Sequence, residues 1–296
     1  MPKPLVTIIS VHFNQLALTE SFIKSVLNQL YLSYELIIID NGSLKEPIDP
    51  LIEKYPMVDF IISEENLGFA GGNNLGIEKA KGEFLFFLNN DTEIEENTIE
   101  ILVEHFSKNP ECGMLSPKIK YYDTNTLQYA GSGKVNLYNG RIIRIGYKEE
   151  DRGQFDSVYK TEIIHGAAMM VSRHFINTVG MMSSEFFLYY EEIDWCHQAK
   201  EAGIEIWFNG NSTVYHKESM SIGKNSPLKT YYMSRNRLLF MRRHTHGFKK
   251  ISWIVFFILF SIPKNLMVFV FKKDWKNLKG FLSGVKWNLF NKYNFT

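Results

Sequence analysis

Three segments along the chain share one pattern, in which an apolar run ends in polar side chains. The apolar runs cover residues 6–11, 36–39 and 84–88. The polar residues that follow them are 12–14, 40–43 and 89–91, with helical patterns after the first two at 17–30 and 50–55. Runs that are apolar on both faces are typical of central strands in a parallel sheet covered by helices. The repeated order of strand, polar turn and helix therefore predicts a doubly wound α/β fold.

Asp91 follows the third of these runs, at the end of a predicted strand. In such sheets, ligands bind beyond the carboxyl ends of the strands. A carboxylate there suits Mg²⁺ or Mn²⁺ holding a diphosphate, because these cations take one or two carboxylates and fill their other positions with phosphate and water. The alternative is structural, with residues 89–91 capping a helix that starts near residues 92–94. Three similar strand ends in one crevice favour the ligand site.

Residues 66–76, between the second and third runs, are rich in glycine and asparagine. Small residues let a ligand approach the backbone closely, and a helix that follows can direct N–H groups at an anion. As a lone motif the segment can equally be a simple turn of the chain.

The ordered set of motifs resembles family 2 inverting glycosyltransferases of the GT-A fold. The matching segments are 6–14, 35–43, 66–76, 84–91, 165–171, 186–196 and 214–216. The resemblance covers about residues 4–245 and is specific as an ordered set, although no single motif is. It looks especially like the rhamnosyltransferase and galactofuranosyltransferase-like branch. The resemblance implies a Rossmann-like mixed sheet flanked by helices.

A nucleoside diphosphate sugar is the donor that the resemblance implies. Asp40 would contact the base or ribose of that donor. The other residues implied for the donor site are Ser10, Phe13, Asn14, Asn66, Gly68, Asn74, Asn90 and Asp91.

The resemblance also implies a Mn²⁺ or Mg²⁺ ion held by Asp91 and His216. Asp91 matches the last acid of the family's D-x-D motif, whereas Asn89 stands in place of the first acid. One carboxylate is therefore present where some relatives have two. His216 matches a position that ligates the metal in galactofuranosyltransferases. Without the resemblance, a lone histidine is more often a surface or core residue.

Catalysis by this family needs a base, and residues 191–194 form an acidic cluster. Glu192 aligns with the family's catalytic acid, usually Asp. As general base it would accept the proton of an acceptor hydroxyl during one inverting displacement. The residues implied for the acceptor site are Glu191, Asp194, Trp195, His165 and Gly166. The alternative for the cluster is a solvated helix N-terminus, where the helix dipole stabilises acids.

Charge is distributed unevenly along the 296 residues, whose net charge is +1. Residues 1–228 contain 19 Lys or Arg against 31 Asp or Glu, whereas residues 229–296 contain 14 against Asp274 alone. We predict a catalytic domain at 1–228, divided into a nucleotide-sugar half at 1–115 and an acceptor half at 116–228, followed by a basic helical tail at 229–296. Two cysteines form no disulfide framework and favour a reducing compartment. No signal peptide is expected at the N-terminus.

The tail carries an apolar run at 251–262, which residues 263–265 separate from a second run at 266–271. The first run is shorter than the roughly 20 residues of a transmembrane helix. Flanking Lys, Arg and Trp favour insertion into the interface of an anionic membrane. The alternatives are a helical hairpin buried on the catalytic domain and a nucleic-acid patch. We expect the cytoplasmic side of the cell membrane, peripheral or monotopic attachment, and no nucleic-acid partner.

These expectations describe a metal-dependent, hexosyl-type transferase of cell-surface polysaccharide synthesis. The acceptor would be a glycan or a polyprenyl-linked glycan, and rhamnose from its dTDP donor is the leading sugar. A sugar-phosphate nucleotidyltransferase is one alternative, although it would place a basic glycine-rich loop where this chain has residues 10–14. Another is a carbohydrate- or nucleotide-binding protein without turnover. The oligomeric state is left open.

Overall fold

The structure is a computed structural model, which describes residues 2–217 and 226–291. The last residues of the predicted tail, 292–296, lie outside the described residues. The chain divides into two compact units. Among the described residues, the first unit comprises 2–133, 144–187 and 191–217, and the second comprises 134–143, 188–190 and 226–291. The domain boundaries at 115 and 228 stay predictions.

The first unit is built on a mixed sheet that has ten strands among the described residues. The strands are β1 (Val6–His12), β2 (Tyr34–Asn41), β3 (Asp59–Ser63), β4 (Phe84–Leu88), β5 (Thr92–Ile94), β6 (Cys112–Tyr121), β7 (Leu127–Tyr129), β8 (Val158–Lys160), β9 (Ala168–Ser172) and β10 (Glu205–His216). Their order is β3-β2-β1-β4-β9-β6-β10-β5, with β7 on β6 and β8 on β10. β9 runs antiparallel to both of its neighbours, and β5 antiparallel to β10.

Helices flank this sheet. They are α1 (Leu16–Leu27), α2 (Asp49–Lys54), α3 (Gly68–Lys79), α4 (Thr98–Lys108), α5 (Arg173–Val179) and α6 (Glu191–Glu201), with a 3-10 turn at Ser184–Phe186. β4 is buried at every position, as its unbroken apolar run predicts. The predicted α/β class, a mixed sheet flanked by helices, is confirmed.

Strand register brings the polar strand ends together. His12 pairs with Asp40 across β1 and β2, and β1 also runs parallel to β4. At the far side of β4, Leu88 pairs with Ala168. His216, the last residue of β10, pairs with Thr92, the residue directly after Asp91. The ends of β4 and β10 therefore meet at Asp91.

The structural alternative for residues 89–91 is wrong, because no helix starts after them. Residues 92–94 form β5, and α4 begins only at Thr98. Propensity alone could not show this, since the short strand exists only by pairing with β10. Residues 89–91 instead form the turn that carries the chain from β4 to β5.

The second unit is helical among its described residues. Its helices are α7 (Pro227–His244), α8 (Gly247–Phe256), α9 (Ile262–Phe271) and α10 (Trp275–Phe290). α7 and α10 pack closely at two glycines of α10. An added Cβ at Gly280 or Gly284 would lie only 2.6 or 2.7 Å from a carbonyl oxygen of α7. The buried Asn236 of α7 donates to the carbonyls of Leu188 and Tyr189.

One helix of the second unit is long and apolar enough to cross a membrane. It runs over Gly247–Phe271, 25 residues, and its most apolar 18-residue stretch has a mean hydropathy of 2.2 and is only 11% buried. A π-helical turn at Phe257–Ser261 precedes Pro263, which lies in the first turn of α9. The wider turn accommodates the missing N–H of the proline, so the helix continues through residues 263–265.

Candidate active site at the ends of the central strands

Asp91 and His216 form a buried pair at the edge of the first unit's sheet. Asp91 Oδ1 lies 3.1 Å from His216 Nε2, and both side chains are less than a tenth exposed. The backbone also joins the two strand ends, because Lys217 N donates to Asp91 O at 2.9 Å. The structure therefore brings the two predicted metal ligands together.

The Asp91 and His216 atoms lie side by side without being hydrogen-bonded to one another. Asp91 Oδ1 is buried and accepts no hydrogen bond from the described residues. On the other side of the ring, His216 Nδ1 lies 2.7 Å from the side-chain oxygen of Gln128. Because that oxygen only accepts, Nδ1 carries a proton, and a neutral ring then presents the Nε2 lone pair beside the carboxylate. A buried oxygen and a buried nitrogen lone pair fit a divalent cation of the Mn²⁺ type.

The two amides before Asp91 have different environments. Asn89 Nδ2 lies 3.4 Å from His216 Nε2, at the rim of the pair. Asn90 is buried and donates to Thr19 Oγ1 at 2.9 Å. Thr19 in turn lies 2.8 Å from His12 Nδ1. Asn90, predicted to bind the donor, is thus tied into a hydrogen-bond network with α1 and β1.

The predicted catalytic acid, Glu192, lies beside Gly166, the residue that follows His165. An added Cβ at Gly166 would lie 3.8 Å from Cδ of Glu192, and the ring of His165 is 6.1 Å from that of His216. Asn89 N donates to Ala167 O at 3.0 Å. Glu192 and the metal-ligand pair therefore both lie near the segment at 165–167.

His165 is held neutral. Its Nδ1 accepts from Ala167 N at 3.1 Å, which leaves the proton on Nε2. Burial, with His216 and Arg144 nearby, lowers the pKa of His165 to about 3. At neutral pH the ring is therefore a hydrogen-bond donor without charge.

The acidic cluster lies at the N-terminus of α6, as its structural alternative predicted, but Glu191 and Asp194 are buried rather than solvated. Glu191, Glu192 and Asp194 lie in the first turn of α6. Glu192 is half-buried, whereas Asp194 is fully buried and accepts from Gln198 Nε2 at 2.6 Å. Trp195, predicted to lie at the acceptor site, belongs to the core of the first unit. It is fully buried against Phe87 and donates to Gly180 O.

Backbone strain accumulates directly before the cluster. Phe187, Tyr189 and Tyr190 all have positive φ, at 61°, 67° and 79°. Bulky residues rarely adopt this conformation, and such strain clusters at functional sites.

Most residues predicted to bind the donor are buried or used by the fold. Asp40 is buried, and its two oxygens accept from the backbone N–H groups of Ser43 and Ile48. Ser10 is fully buried, and its hydroxyl has no hydrogen-bond partner among the described residues. Asn14 accepts from the backbone N–H groups of Lys45 and Glu46. Phe13, by contrast, is 37% exposed.

The glycine-rich segment is held by Asn41, which sequence reasoning missed. Asn41 Nδ2 donates to Asn66 Oδ1 and Gly68 O, and its Oδ1 accepts from Leu67 N. Gly68 begins α3 with a φ of +73°, and an added Cβ would lie 2.2 Å from Phe187 O. Only glycine fits such a position. Asn74 binds both backbone groups of Met182. Asn41 could have been found from its place among the polar residues that follow the second apolar run.

Comparison with known proteins identifies the class to which this fold and site belong. The model of the glycosyl transferase family 2 matches residues 7–180, more than half of the chain. The chain therefore belongs to glycosyl transferase family 2.

One curated relative is a hexosyltransferase by name, and another is a polysaccharide synthase by name. The low-salt glycan biosynthesis hexosyltransferase Agl10 of Haloferax volcanii is 26% identical over 227 residues, which cover 75% of this chain and 71% of that protein. The poly-beta-1,6-N-acetyl-D-glucosamine synthase of Staphylococcus epidermidis is 28% identical over 51% of this chain and 42% of its own length.

Two solved structures share the fold. The crystal structure of GalNAc-T7 with UDP, GalNAc and Mn²⁺ has a TM-score of 0.62 at 18% identity, over 78% of this chain and 47% of that chain. Staphylococcus aureus TarS has a TM-score of 0.57 at 15% identity, over 86% of this chain and 44% of that chain. The predicted GT-A fold is confirmed. The chain spans less than half of each solved protein.

Proposed function

We propose that the protein is an inverting, metal-dependent glycosyltransferase that moves one sugar from a nucleoside diphosphate donor to a glycan acceptor. The observation that carries the proposal is the buried pair of Asp91 Oδ1 and His216 Nε2 at 3.1 Å. Glu192 lies beside Gly166, and the ring of the preceding residue, His165, is 6.1 Å from that of His216. A cation site and a half-buried carboxylate beside one segment are the two chemical groups that inverting transfer needs.

Glu192 is the proposed general base. It accepts the proton of an acceptor hydroxyl while that oxygen attacks the anomeric carbon and the bond to the diphosphate breaks. One displacement inverts the anomeric centre. Asp91 and His216 would hold Mn²⁺ or Mg²⁺, which supplies Lewis-acid neutralisation of the leaving diphosphate. The neutral His165 would donate from Nε2 to a substrate oxygen without adding charge near His216.

The finer identity of the substrates extends this proposal. Rhamnose from its dTDP donor is the sugar we infer, on the resemblance of the motifs to the rhamnosyltransferase and galactofuranosyltransferase-like branch. The hexosyl type and a role in glycan or cell-surface polysaccharide synthesis are supported by the name of the Haloferax volcanii relative. Mn²⁺ is supported by the solved GalNAc-T7 complex. A polyprenyl-linked glycan is the proposed acceptor.

Thermal shift with a panel of nucleoside diphosphates, with and without MnCl₂, tests donor binding. We expect stabilisation that needs both components, and loss of the metal-dependent part in Asp91→Ala. Turnover with the matching nucleotide sugars follows, with the anomeric configuration of the product read by NMR. Retention of configuration would contradict the single displacement. Nucleotide binding without transfer or donor hydrolysis would identify a binding protein instead.

The second unit carries the proposed membrane attachment, on the cytoplasmic side. Apolar side chains along Gly247–Phe271 are more than half exposed to solvent: Phe248, Ile251, Ile258, Leu259, Phe260, Met267 and Phe271. Cations stand at both ends of this stretch, among them Lys249, Lys250, Lys272 and Lys273. Exposed apolar area flanked by cations fits an anionic lipid surface.

Flotation with liposomes that contain phosphatidylglycerol tests the attachment. We expect the full chain to float at low salt and high salt to release only part of it, because salt screens the lysines but not the buried apolar area. Leu259→Ser with Phe260→Ser should release most of it. Leu32→Ser with Leu44→Ser is the matched control, since both leucines are more than four-fifths exposed in the first unit. Failure to float at low salt would refute the proposal, and a C-terminal tag reachable only from the far side would show a crossing.

A further inference from the structure

Gln128 lies behind the metal-ligand pair, in a part of the chain that no motif covers. It is the middle residue of β7 and is 6% exposed. Its Oε1 lies 2.7 Å from His216 Nδ1, and the two side chains are both buried. The contact joins residues 88 positions apart in sequence.

A hydrogen-bond acceptor at this position determines which ring nitrogen of His216 faces the site. A neutral imidazole has one N–H and one lone pair, and a metal takes the lone pair. Because Gln128 Oε1 accepts from Nδ1, the lone pair is on Nε2, the atom beside Asp91. Partners of this kind fix the tautomer and orientation of metal-binding histidines in proteins.

The strand that carries Gln128 is itself held rigidly. Leu127 N donates to Glu149 O at 2.8 Å, and Lys148 N donates to Leu127 O at 2.9 Å. On its other edge β7 pairs with β6. Lys118 and Lys120 of β6 both contact Asp151 Oδ2, at 3.1 and 3.2 Å, with all three side chains largely buried. The acceptor oxygen is therefore preorganised before any cation binds.

We propose that Gln128 is a positioning residue for the metal, acting through the ring of His216. This inference rests on the proposed metal-dependent transfer. The amide oxygen holds the proton on Nδ1 and turns the Nε2 lone pair toward a cation shared with Asp91. Gln128 itself touches neither the cation nor the substrate.

Mn²⁺ binding to the full chain tests this role without reference to activity. The EPR signal of free Mn²⁺, followed during titration with MnCl₂ alone, gives the affinity. We expect Gln128→Met, which keeps the volume but not the acceptor, to weaken Mn²⁺ binding by about 10- to 100-fold. Gln128→Glu keeps an acceptor oxygen and should bind Mn²⁺ at least as tightly as the wild type.

Gln29→Met is the matched control. Gln29 is also buried and also makes side-chain hydrogen bonds, to Glu95 O and from Ile99 N, but it does not contact His216. Gln29→Met should lower the melting temperature, as Gln128→Met should, and should leave the affinity for Mn²⁺ unchanged. In a His216→Ala background, Gln128→Met should cause no further loss of affinity, since the two residues act as one unit.

The outcomes separate this inference from the function on which it rests. If Asp91→Ala and His216→Ala lose Mn²⁺ while Gln128→Met binds it normally, the metal site stands and the positioning role is refuted. An equal loss in Gln128→Glu and Gln128→Met would also refute it, because shape rather than the acceptor oxygen would then matter. If the wild type binds no Mn²⁺, the proposed metal site fails and the inference fails with it.

Discussion

Replacing the Asp91 carboxylate by an amide distinguishes two charge states of the buried pair. With the only ring proton of His216 on Nδ1, Nε2 carries a lone pair and lies 3.1 Å from Asp91 Oδ1. In Asp91→Asn the new amide N–H can then donate to Nε2. With protons on both ring nitrogens, the pair is instead a buried ion pair, and Asp91→Asn removes one of its charges.

The two states predict opposite effects on the metal-free protein. A new buried hydrogen bond contributes about 0.5–1.5 kcal/mol to the free energy of unfolding. For a protein of this size, each kcal/mol raises the melting temperature by roughly 2–4 °C. Breaking a buried ion pair costs about 3–5 kcal/mol. We expect the stabilisation by a new hydrogen bond, because Oδ1 accepts no hydrogen bond from the described residues.

Calorimetry with and without MnCl₂ and a nucleoside diphosphate measures both the metal-free stability and the stabilisation that these ligands add. Ligand at 100 times its dissociation constant stabilises the wild type by about 2.7 kcal/mol. Asp91→Asn should lose the metal-dependent part of that increment while its metal-free melting temperature rises or stays constant. Gain of metal-free stability and loss of the metal response in one variant would show that the carboxylate serves the cation rather than the fold.

Asp40→Asn is the control, since Asp40 is also a buried acid at a strand end. Both of its oxygens accept from backbone N–H groups. In Asp40→Asn the side-chain NH₂ group would face one of these N–H groups, and two donors cannot form a hydrogen bond. Asp40→Asn should destabilise the metal-free protein and keep Mn²⁺ binding. The reasoning on Asp91 is refuted if Asp91→Asn loses more than about 1 kcal/mol without metal, or if its Mn²⁺ increment persists.

Three further outcomes are expected. Glu192→Gln should lower kcat by at least about 100-fold with donor affinity near that of the wild type, whereas Glu191→Gln should act mainly on acceptor KM; the reverse pattern would move the base to Glu191. Because the pKa of His165 falls to about 3 on folding, the unfolded chain binds the extra proton, so folding stability should drop as pH falls from about 6.5 toward 3, by up to about 1.4 kcal/mol per pH unit. His165→Asn should flatten that slope in urea unfolding at several pH values, and an unchanged slope would contradict the burial of the ring. Gly284→Ala should lower the melting temperature, because the new Cβ would lie 2.7 Å from Tyr231 O; an unchanged melting temperature would show that α7 and α10 can separate freely.

The fold was predictable where a strand is apolar on both faces. β1, β2 and β4 were found because each is a mostly apolar run that ends in polar residues, a pattern typical of central strands in an α/β protein. β5 and β7 were not found, because each has three residues and exists only through pairing with distant strands. Local patterns carry no information about such pairing.

The sequence predicted which residues lie at the candidate site better than it predicted what each residue does there. Asp91 and His216 were assigned by resemblance, and the structure places them 3.1 Å apart. Trp195 was assigned to the acceptor, yet it packs in the core as an aromatic residue on the inner face of α6. Gln128 had no signal, since a lone glutamine in a stretch without periodicity resembles any loop residue.

An acid or amide after a buried strand has two uses, and residue type does not distinguish them. Asp40 and Asp91 both end such strands and are both buried. The backbone occupies both oxygens of Asp40, which therefore holds a loop. Asp91 keeps a buried oxygen that the described residues leave without a hydrogen bond, 3.1 Å from the ring nitrogen Nε2 of His216. Because burying an unsatisfied carboxylate oxygen is costly, a protein that keeps one gains from what binds there.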